Sequence, residues 1–564
     1  MTTGTTLSSL TFFALLTGAV VSQAQQSRPD YDVLIRNGRI VDGTGNPWFY
    51  GDVAIRDGRI VAVSRVVSEP KKSGRAATEI DASGLIVAPG FIDIHSHSDA
   101  LLLEDGAAES KIRQGVTTEI LGEGDSAGPE MYPAAASRKG RWPTLAAYFA
   151  AVERARPAVN VASYVGLNNI WRSQMADSFA RPTADQREAM KQLVDQAMRD
   201  GALGLSSSMM MPPGSLPTTD DVVELCRVVA RRNGIYSTHV RNEGAGVFAA
   251  VREAIEIGER VKLPVDIIHL KIAEQRAWGR MPEIVEAISA ARGRGVDVQT
   301  NVYPYTRGNN NLSSIIPPWA HEGGSAKMLE RLKDTAQRPR LKRDIDQGLD
   351  GWYNHYTAVG RDWSRMLISA DNRYKGLTMD RVLALRSAGR TKVDFLDELF
   401  DLLIEEGGSV STVFAHHTEE DMNVALMQPW CSIGSDGSAY AVEGPLKRGN
   451  PHPRSFGTFP RVLGEYVRTR KLLTWEDAVR KMTSLNAAKI GLADRGLLQA
   501  GMAADVTLFD PITVVDCATY EEPFQYPLGI EYVIVNGEVV LRRGERTAAR
   551  PGKVLRHRSD VEGR

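Results

Sequence analysis

Four of the ten histidines in this 564-residue chain stand at the ends of three short β-like runs. His95 and His97 close the run Leu85-Ile-Val-Ala-Pro-Gly-Phe-Ile-Asp-Ile94, His239 closes Ile235-Tyr-Ser-Thr, and His269 closes Val265-Asp-Ile-Ile. In extended chain, residues i and i+2 face the same side, so the His-x-His pair turns both imidazoles one way. Neutral imidazoles converging from strand ends suit Zn²⁺ or a related ion. Asp436, in Ile433-Gly-Ser-Asp-Gly437 after another such run, adds a carboxylate. It would bind metal, or take a proton from an activated water and return it to a leaving group. Taken singly, each histidine reads as a satisfied core residue, and Asp436 as a turn or cap aspartate before Gly437. Together, at strand ends, the five point to metal-assisted hydrolysis.

The elements that must position them alternate. Between residues 85 and 490 the strand candidates are Leu85–Ile94, Val116–Leu121, Val161–Leu167, Ala202–Ser206, Ile235–His239, Val265–Leu270, Val296–Tyr303, Val410–Ala415 and Cys431–Ser435. Helical segments such as Asp221–Arg232 and Val247–Arg260 lie between many of them, which argues for a parallel sheet. Eight repeats close a barrel, and barrel enzymes carry their chemistry at the C-terminal strand ends. Nine candidates leave one surplus. The charged, Trp- and Tyr-containing stretch between 305 and 430 reads as an insertion that contains it. The expected architecture is α/β: a (β/α)₈ TIM-type barrel over 85–487 with an inserted subdomain at about 306–425.

Three further segments share a pattern of β-branched residues around Asn-Gly or Asp-Gly: Val33–Val41, Val53–Val61 and Val533–Val540. Those dipeptides accept the positive φ angles of a two-residue turn, so each reads as a β-hairpin. Gly501–Asp510 supplies another strand. A small β-sandwich drawn from both chain ends, residues 31–84 and 488–556, explains their placement.

Composition narrows the function classes. Sixty-eight basic against 69 acidic side chains leave a formal charge of −1, which gives no electrostatic reason to expect nucleic acid or an anionic membrane as partner. Three cysteines, Cys226, Cys431 and Cys517, make no disulfide framework and show no CxxC spacing. Leu10 to Val21 is apolar, short for a membrane span, and followed by Ser22-Gln23-Ala24. Residues 1–24 therefore read as a signal peptide, leaving a periplasmic or secreted enzyme with no membrane span.

Ala88-Pro-Gly-Phe-Ile-Asp-Ile-His-Ser-His97 resembles the opening motif of the amidohydrolase superfamily, and the chain is most similar to its N-acyl-D-amino-acid deacylases, the D-aminoacylases. The segments carrying the resemblance occur in order: Gly115–Thr118, Gly201–Ser207, Thr238-His-Val-Arg-Asn-Glu243, Val302-Tyr-Pro-Tyr305, Ser435–Gly437, His452-Pro-Arg454, Gly457–Arg461 and Asp494–Gly496. They span about residues 31–556. The resemblance implies a metal-dependent barrel that hydrolyses the amide of N-acyl-D-amino acids, with one or two Zn²⁺ or other divalent ions. It places His95, His97 and Asp436 at one metal position and His239 and His269 at the other.

Two departures accompany it. Gly201–Ser208 holds no lysine of the kind that, carboxylated, bridges two metals in many amidohydrolases. Gly124 stands where D-aminoacylases usually offer a cysteine ligand, so Glu123, and after it Asp125, is the candidate replacement; an exposed loop acid is the competing reading. For a small substrate bearing a carboxylate, Lys271, Tyr303, Tyr305, Arg307 and Arg241 are the candidate contacts, although Arg241 could instead pair with Glu243 and Arg307 lie in plain solvent. The resemblance favours Lys271 and the Tyr-Pro-Tyr segment. Cyclic amides, lactones and D-peptides are the alternative substrates on the same fold. Gly124-Asp-Ser-Ala-Gly128 also fits a serine-esterase elbow, but Pro129 and Pro133 follow where a helix is required. A non-catalytic binding protein would have little use for every one of these ligands.

Overall fold

The computed structural model describes residues 1–5, 29–65, 74–130 and 142–557. The apolar run proposed as a signal peptide lies outside them. Eight short strands follow one another in chain order: β1 Phe91–Asp93, β2 Val116–Leu121, β3 Asn160–Ser163, β4 Gly204–Ser208, β5 Ile235–His239, β6 Val265–Ile267, β7 Val298–Val302 and β8 Cys431–Ile433. Each pairs in parallel with its neighbours, Val165–Gly166 carrying β3 on to β4. The ring closes where Ser96 bridges Gly437: the Asp436 amide donates to the His95 carbonyl and the His97 amide to the Gly437 carbonyl. Covered on both faces, β2, β3, β6 and β8 are buried at every residue, including the polar Glu119, Asn160, Asp266 and Ser432.

Helices cover the outside. Thr219–Ala230 starts at a capping box between Thr218 and Asp221 and turns Val222, Val223, Cys226 and Val229 into the core. Val247–Val261 does the same with Val247, Ala250, Val251, Ala254 and Ile255. Cys226 and Cys431 are buried, Cys517 half-buried, and none belongs to a ligand cluster among the described residues.

The ninth strand-like run pairs elsewhere. Ser411–Phe414 lies between Gly308–Asn311 and Met366–Ile368 in a separate antiparallel sheet. That sheet and its helices have their own core, including Ile315, Leu332, Leu341, Phe400 and Phe414. The chain leaves the barrel after β7 and returns with the helix Glu419–Leu426, whose Met422, Ala425 and Leu426 join the barrel core.

Five N-terminal strands (Tyr31–Ile40, Phe49–Arg56, Arg59–Arg65, Ala76–Asp81, Ile86–Pro89) and four C-terminal ones (Val506–Phe509, Ile530–Val535, Glu538–Arg542, Glu545–Arg546) form one sheet. Val33, Ile35 and Val53 from one end share a core with Val506, Leu508 and Ile534 from the other. Two of the three expected hairpins form, with turns at Asp57-Gly58 (φ 50° and 74°) and Asn536-Gly537 (φ 49° and 87°). The third does not. Residues 31–40 are a single strand that bulges at Asn37-Gly38, since Gly38 packs so closely on Val87 that a Cβ there would stand 2.4 Å from the valine methyl. The run Leu85–Ile94 likewise divides: Ile86–Pro89 belongs to the terminal sheet, and only Phe91–Asp93 enters the barrel. No helix among the described residues is long and apolar enough to cross a membrane.

Candidate metal centre

The C-terminal strand ends gather six side chains into two overlapping groups. His95, His97, Glu123 and Asp436 form one, and Glu123, His239 and His269 the other, with the ligand atoms of each within 4.8 Å of one another. Glu123 belongs to both. Its Oε2 lies 2.6 Å from His95 Nε2 and 3.1 Å from His97 Nε2; its Oε1 lies 3.0 Å from His239 Nδ1 and 3.9 Å from His269 Nε2. Asp436 Oδ1 stands 3.0 Å from His97 Nε2, and its Oδ2 3.8 Å from His269 Nε2. Asp125, the other candidate, turns away to Arg172 and Asn168.

Two of these residues have a left-handed backbone, Asp436 at φ 51° and His269 at φ 38°. That region is sparsely populated by non-glycine residues, and the surrounding bonds over-determine it. The His269 amide donates to Asn301 Oδ1 at 2.9 Å. On either side of Asp436, the Ser435 amide donates to Asp93 and the Gly437 amide to the Ser435 hydroxyl. Beneath them, fully buried Lys111 bonds Asp93 (2.7 Å), Ser96 (3.1 Å), Ser435 (3.0 Å) and the Gly437 carbonyl (3.2 Å), with Glu119 at 3.2 Å. One ammonium thus ties the ends of β1, β2 and β8.

Charge is concentrated here. Despite burial, the charge of His95 and hydrogen bonds from His239, His95 and His97 hold Glu123 well below the usual carboxylate range. Burial likewise opposes ionisation of Asp436, but Arg454 and then His95 keep it ionised to very low pH. The His97 side chain, although 41% exposed, is partly desolvated by its neighbours, which opposes a charge, yet hydrogen bonds with Asp436 and Glu123 carry its pKa up to about 10. His269 goes the other way, pushed down to about 4 by burial and by the neighbouring Lys271 cation. Imidazoles sharing protons with buried carboxylates at these separations are the donor set that a divalent cation would neutralise.

The substrate-side candidates fare differently. Tyr303 is buried against His269, its hydroxyl without a partner, and Arg454 lies over its ring at 4.7 Å. Lys271 reaches the cluster and is engaged there, 2.5 Å from Glu243 and 2.8 Å from His269 Nδ1. Tyr305 stands one layer back, its ring under Arg461 and its hydroxyl 3.5 Å from Asp516. Arg307 lies over the Tyr520 ring. Arg241 is not brought to the cluster: its guanidinium is used up on Glu253 and the Ser215 and Pro217 carbonyls, so the pairing with Glu243 does not form either. The serine-esterase reading also ends here. Ser126 Oγ donates to the Gly128 carbonyl and accepts from the Gly166 amide. Among the described residues no helix follows directly on Ser126: 127–130 are non-helical, and the next described helix is Leu145–Ala155, capped by Thr144, so no strand-to-helix elbow forms at this serine.

Several residues at the site drew no role from sequence reasoning. Arg454 lies 2.7 Å from Asp436 Oδ2 with both side chains buried. Glu243 lies behind His239 and His269. The insertion contributes His355, His416 and His417, and the adjacent His-His pair was the one visible signal for them. His417 Nε2 donates to the Tyr305 carbonyl at 2.7 Å, leaving its Nδ1 to accept from His416 Nδ1 at 2.9 Å.

An eight-stranded parallel barrel with histidines and carboxylates converging at its C-terminal rim defines a metal-dependent hydrolase fold. The amidohydrolase family profile matches residues 78–299 and 425–541, on either side of the insertion. The chain is 34% identical over 542 residues to a D-aminoacylase of Alcaligenes xylosoxydans xylosoxydans, covering 94% of this chain and 99% of that protein. The crystal structure of N-acyl-D-glutamate deacylase from Bordetella bronchiseptica, complexed with zinc and a phosphonate mimic of the tetrahedral intermediate, superimposes with a TM-score of 0.77 at 32% identity, covering 93% and 99%. A D-aminoacylase structure addressing the role of its binuclear metal centre gives 0.76 at 32%, covering 93% and 100%. The protein belongs to the amidohydrolase family, in its D-aminoacylase group.

Proposed function

We propose that the protein is a metal-dependent hydrolase that cleaves the amide of N-acyl-D-amino acids, releasing a carboxylate and a free D-amino acid. The observation that carries this reading is Glu123, which joins the His95/His97/Asp436 group to the His239/His269 group at the barrel rim. These residues would hold Zn²⁺, one ion or two, and the unpartnered buried nitrogens His95 Nδ1 and His239 Nε2 fit imidazoles awaiting further bonds. When bound, such an ion acts as a Lewis acid toward the amide carbonyl and lowers the pKa of water.

The chain's own residues do the rest. Asp436, kept ionised by Arg454, accepts the proton of the attacking water and delivers it to the departing amide nitrogen. The buried Tyr303 hydroxyl, which has no hydrogen-bond partner, is a donor available to a substrate oxygen or carboxylate, and Arg454, ion-paired to Asp436 through Nη1, brings a positive charge beside it. Lys271 adds a second positive charge on the same side of the site. The D preference rests on the relatives named above.

A panel of N-acetyl-D- and N-acetyl-L-amino acids, with metal analysis on the same sample, tests the reading. Hydrolysis of D forms by protein containing zinc is expected; faster hydrolysis of L forms overturns the stereochemical part, and metal-free turnover overturns the rest. Export to the periplasm or medium is proposed from residues 10–24 alone. An N-terminus near Gln25 in protein recovered from cells supports it, and an intact Met1 does not.

A further inference from the structure

We propose that Glu243 is a positioning residue that holds both imidazoles of the His239/His269 group in the orientation and tautomer a metal needs. The inference rests on the metal-centre reading above and extends it to a residue that is itself outside both ligand groups. Glu243 lies four residues beyond the end of β5, and its loop is pinned to the β6 loop where the Ala273 amide donates to the Glu243 carbonyl at 2.7 Å. Its side chain is buried. Each of the two imidazoles is placed between two carboxylates. His239 turns Nδ1 toward Glu123 (3.0 Å) and Nε2 toward Glu243 Oε1 (3.3 Å). His269 turns Nε2 toward Glu123 (3.9 Å) and Nδ1 toward the same Glu243 oxygen (3.2 Å).

The two rings therefore use opposite nitrogens toward the centre, yet their rear nitrogens converge on one oxygen. A neutral imidazole carries one N–H, so a ring giving one nitrogen's lone pair to a metal must carry its proton on the other. Glu243 is the acceptor standing behind both. At present His239 Nε2 has no aligned hydrogen bond, and His269 Nδ1 is engaged by the Lys271 ammonium at 2.8 Å. That last contact requires a lone pair on Nδ1 and so a proton on Nε2, the metal-facing nitrogen. For Nε2 to offer its lone pair to a metal, the ring proton would have to sit on Nδ1, where Glu243 Oε1 at 3.2 Å is the acceptor, and Lys271 could keep its 2.5 Å bond to the carboxylate. Carboxylates behind metal-binding histidines fix ring orientation and raise ligand basicity, and their loss typically costs roughly 10- to 100-fold in metal affinity.

A purely structural Lys271–Glu243 ion pair makes a different prediction, and metal counting separates the two. Full-length protein is stripped with a chelator, titrated with Zn²⁺ by equilibrium dialysis, and assayed for bound metal, with folding checked by circular dichroism. Wild type is expected to take two ions per chain. Glu243→Gln is expected to keep one at wild-type affinity and to weaken the other by roughly 10- to 100-fold. Glu243→Asp, one methylene shorter, should lose less at the same position, whereas Lys271→Met should keep both ions. Two ions at wild-type affinity in either folded Glu243 variant overturns the proposal, as does an equal loss in Lys271→Met. Wild type that binds no zinc instead overturns the metal-centre reading on which it rests.

Discussion

Arg454 Nη1 lies 2.7 Å from Asp436 Oδ2, with both side chains buried at the point where the barrel closes. A buried carboxylate held this way stays ionised, which is the state a general base needs before it accepts the proton of water. Asp436→Asn removes that capacity with little change of shape. We expect turnover to fall by roughly 10²- to 10⁴-fold while metal remains with the histidines and Glu123. Steady-state kinetics with metal analysis checks this, and undiminished turnover would exclude Asp436 as the base.

Glu123 makes the sharpest claim about metal. Its two oxygens face different histidine pairs, so Glu123→Ala should lower occupancy at both positions, whereas His95→Ala should affect chiefly one and His269→Ala chiefly the other. Metal per chain after exhaustive dialysis distinguishes these patterns. Unchanged stoichiometry in all three variants would refute the ligand set.

Lys111 is fully buried, and its ammonium bonds groups from three strand ends. Lys111→Met leaves Asp93 and Glu119 as buried carboxylates without their cation, and breaking such pairs costs about 3–5 kcal/mol. Urea unfolding of the metal-free variant should show a loss of that order. A midpoint within experimental error of wild type would show that the network is not needed for closure.

Acid should weaken the metal-free protein well before ordinary carboxylates titrate. Burial holds His355 and His417 down to about 3 and His416 well below its ordinary value. Below about pH 6.5 the unfolded chain binds protons that these folded imidazoles refuse, so stability is full above 6.5 and lost progressively toward pH 3. His97, raised to about 10, acts in the opposite sense and only above 6.5, because below that pH both states carry its proton. Each depressed imidazole costs roughly 2 kcal/mol by pH 5. Denaturant midpoints at pH 7, 6 and 5 with chelator present should fall steadily, and a flat profile would contradict the buried neutral state.

The sequence by itself determined the local features. Strand runs, their alternation with amphipathic helices and the histidines at strand ends are visible because side-chain direction repeats every two or 3.6 residues. Asp57-Gly58 and Asn536-Gly537 stood out by their turn chemistry, whereas Glu123 stood out only through the family resemblance, as the acid beside Gly124 where a cysteine ligand is usual. Asn37-Gly38 misled because the same dipeptide serves a turn or a bulge, and what decides is Val87, some fifty residues away and packed where a side chain at Gly38 would go. The electrostatics of the site were equally non-local. Asp436 meets His97 across 339 positions of sequence, Arg454 approaches the same carboxylate from the first turn of a later helix, and Arg241 is diverted to Glu253 by a helix it precedes. Local pattern fixed which side chains end at the rim. Only barrel closure decided which charges face one another there, because the low dielectric that makes those pairings matter exists only once the strands have met.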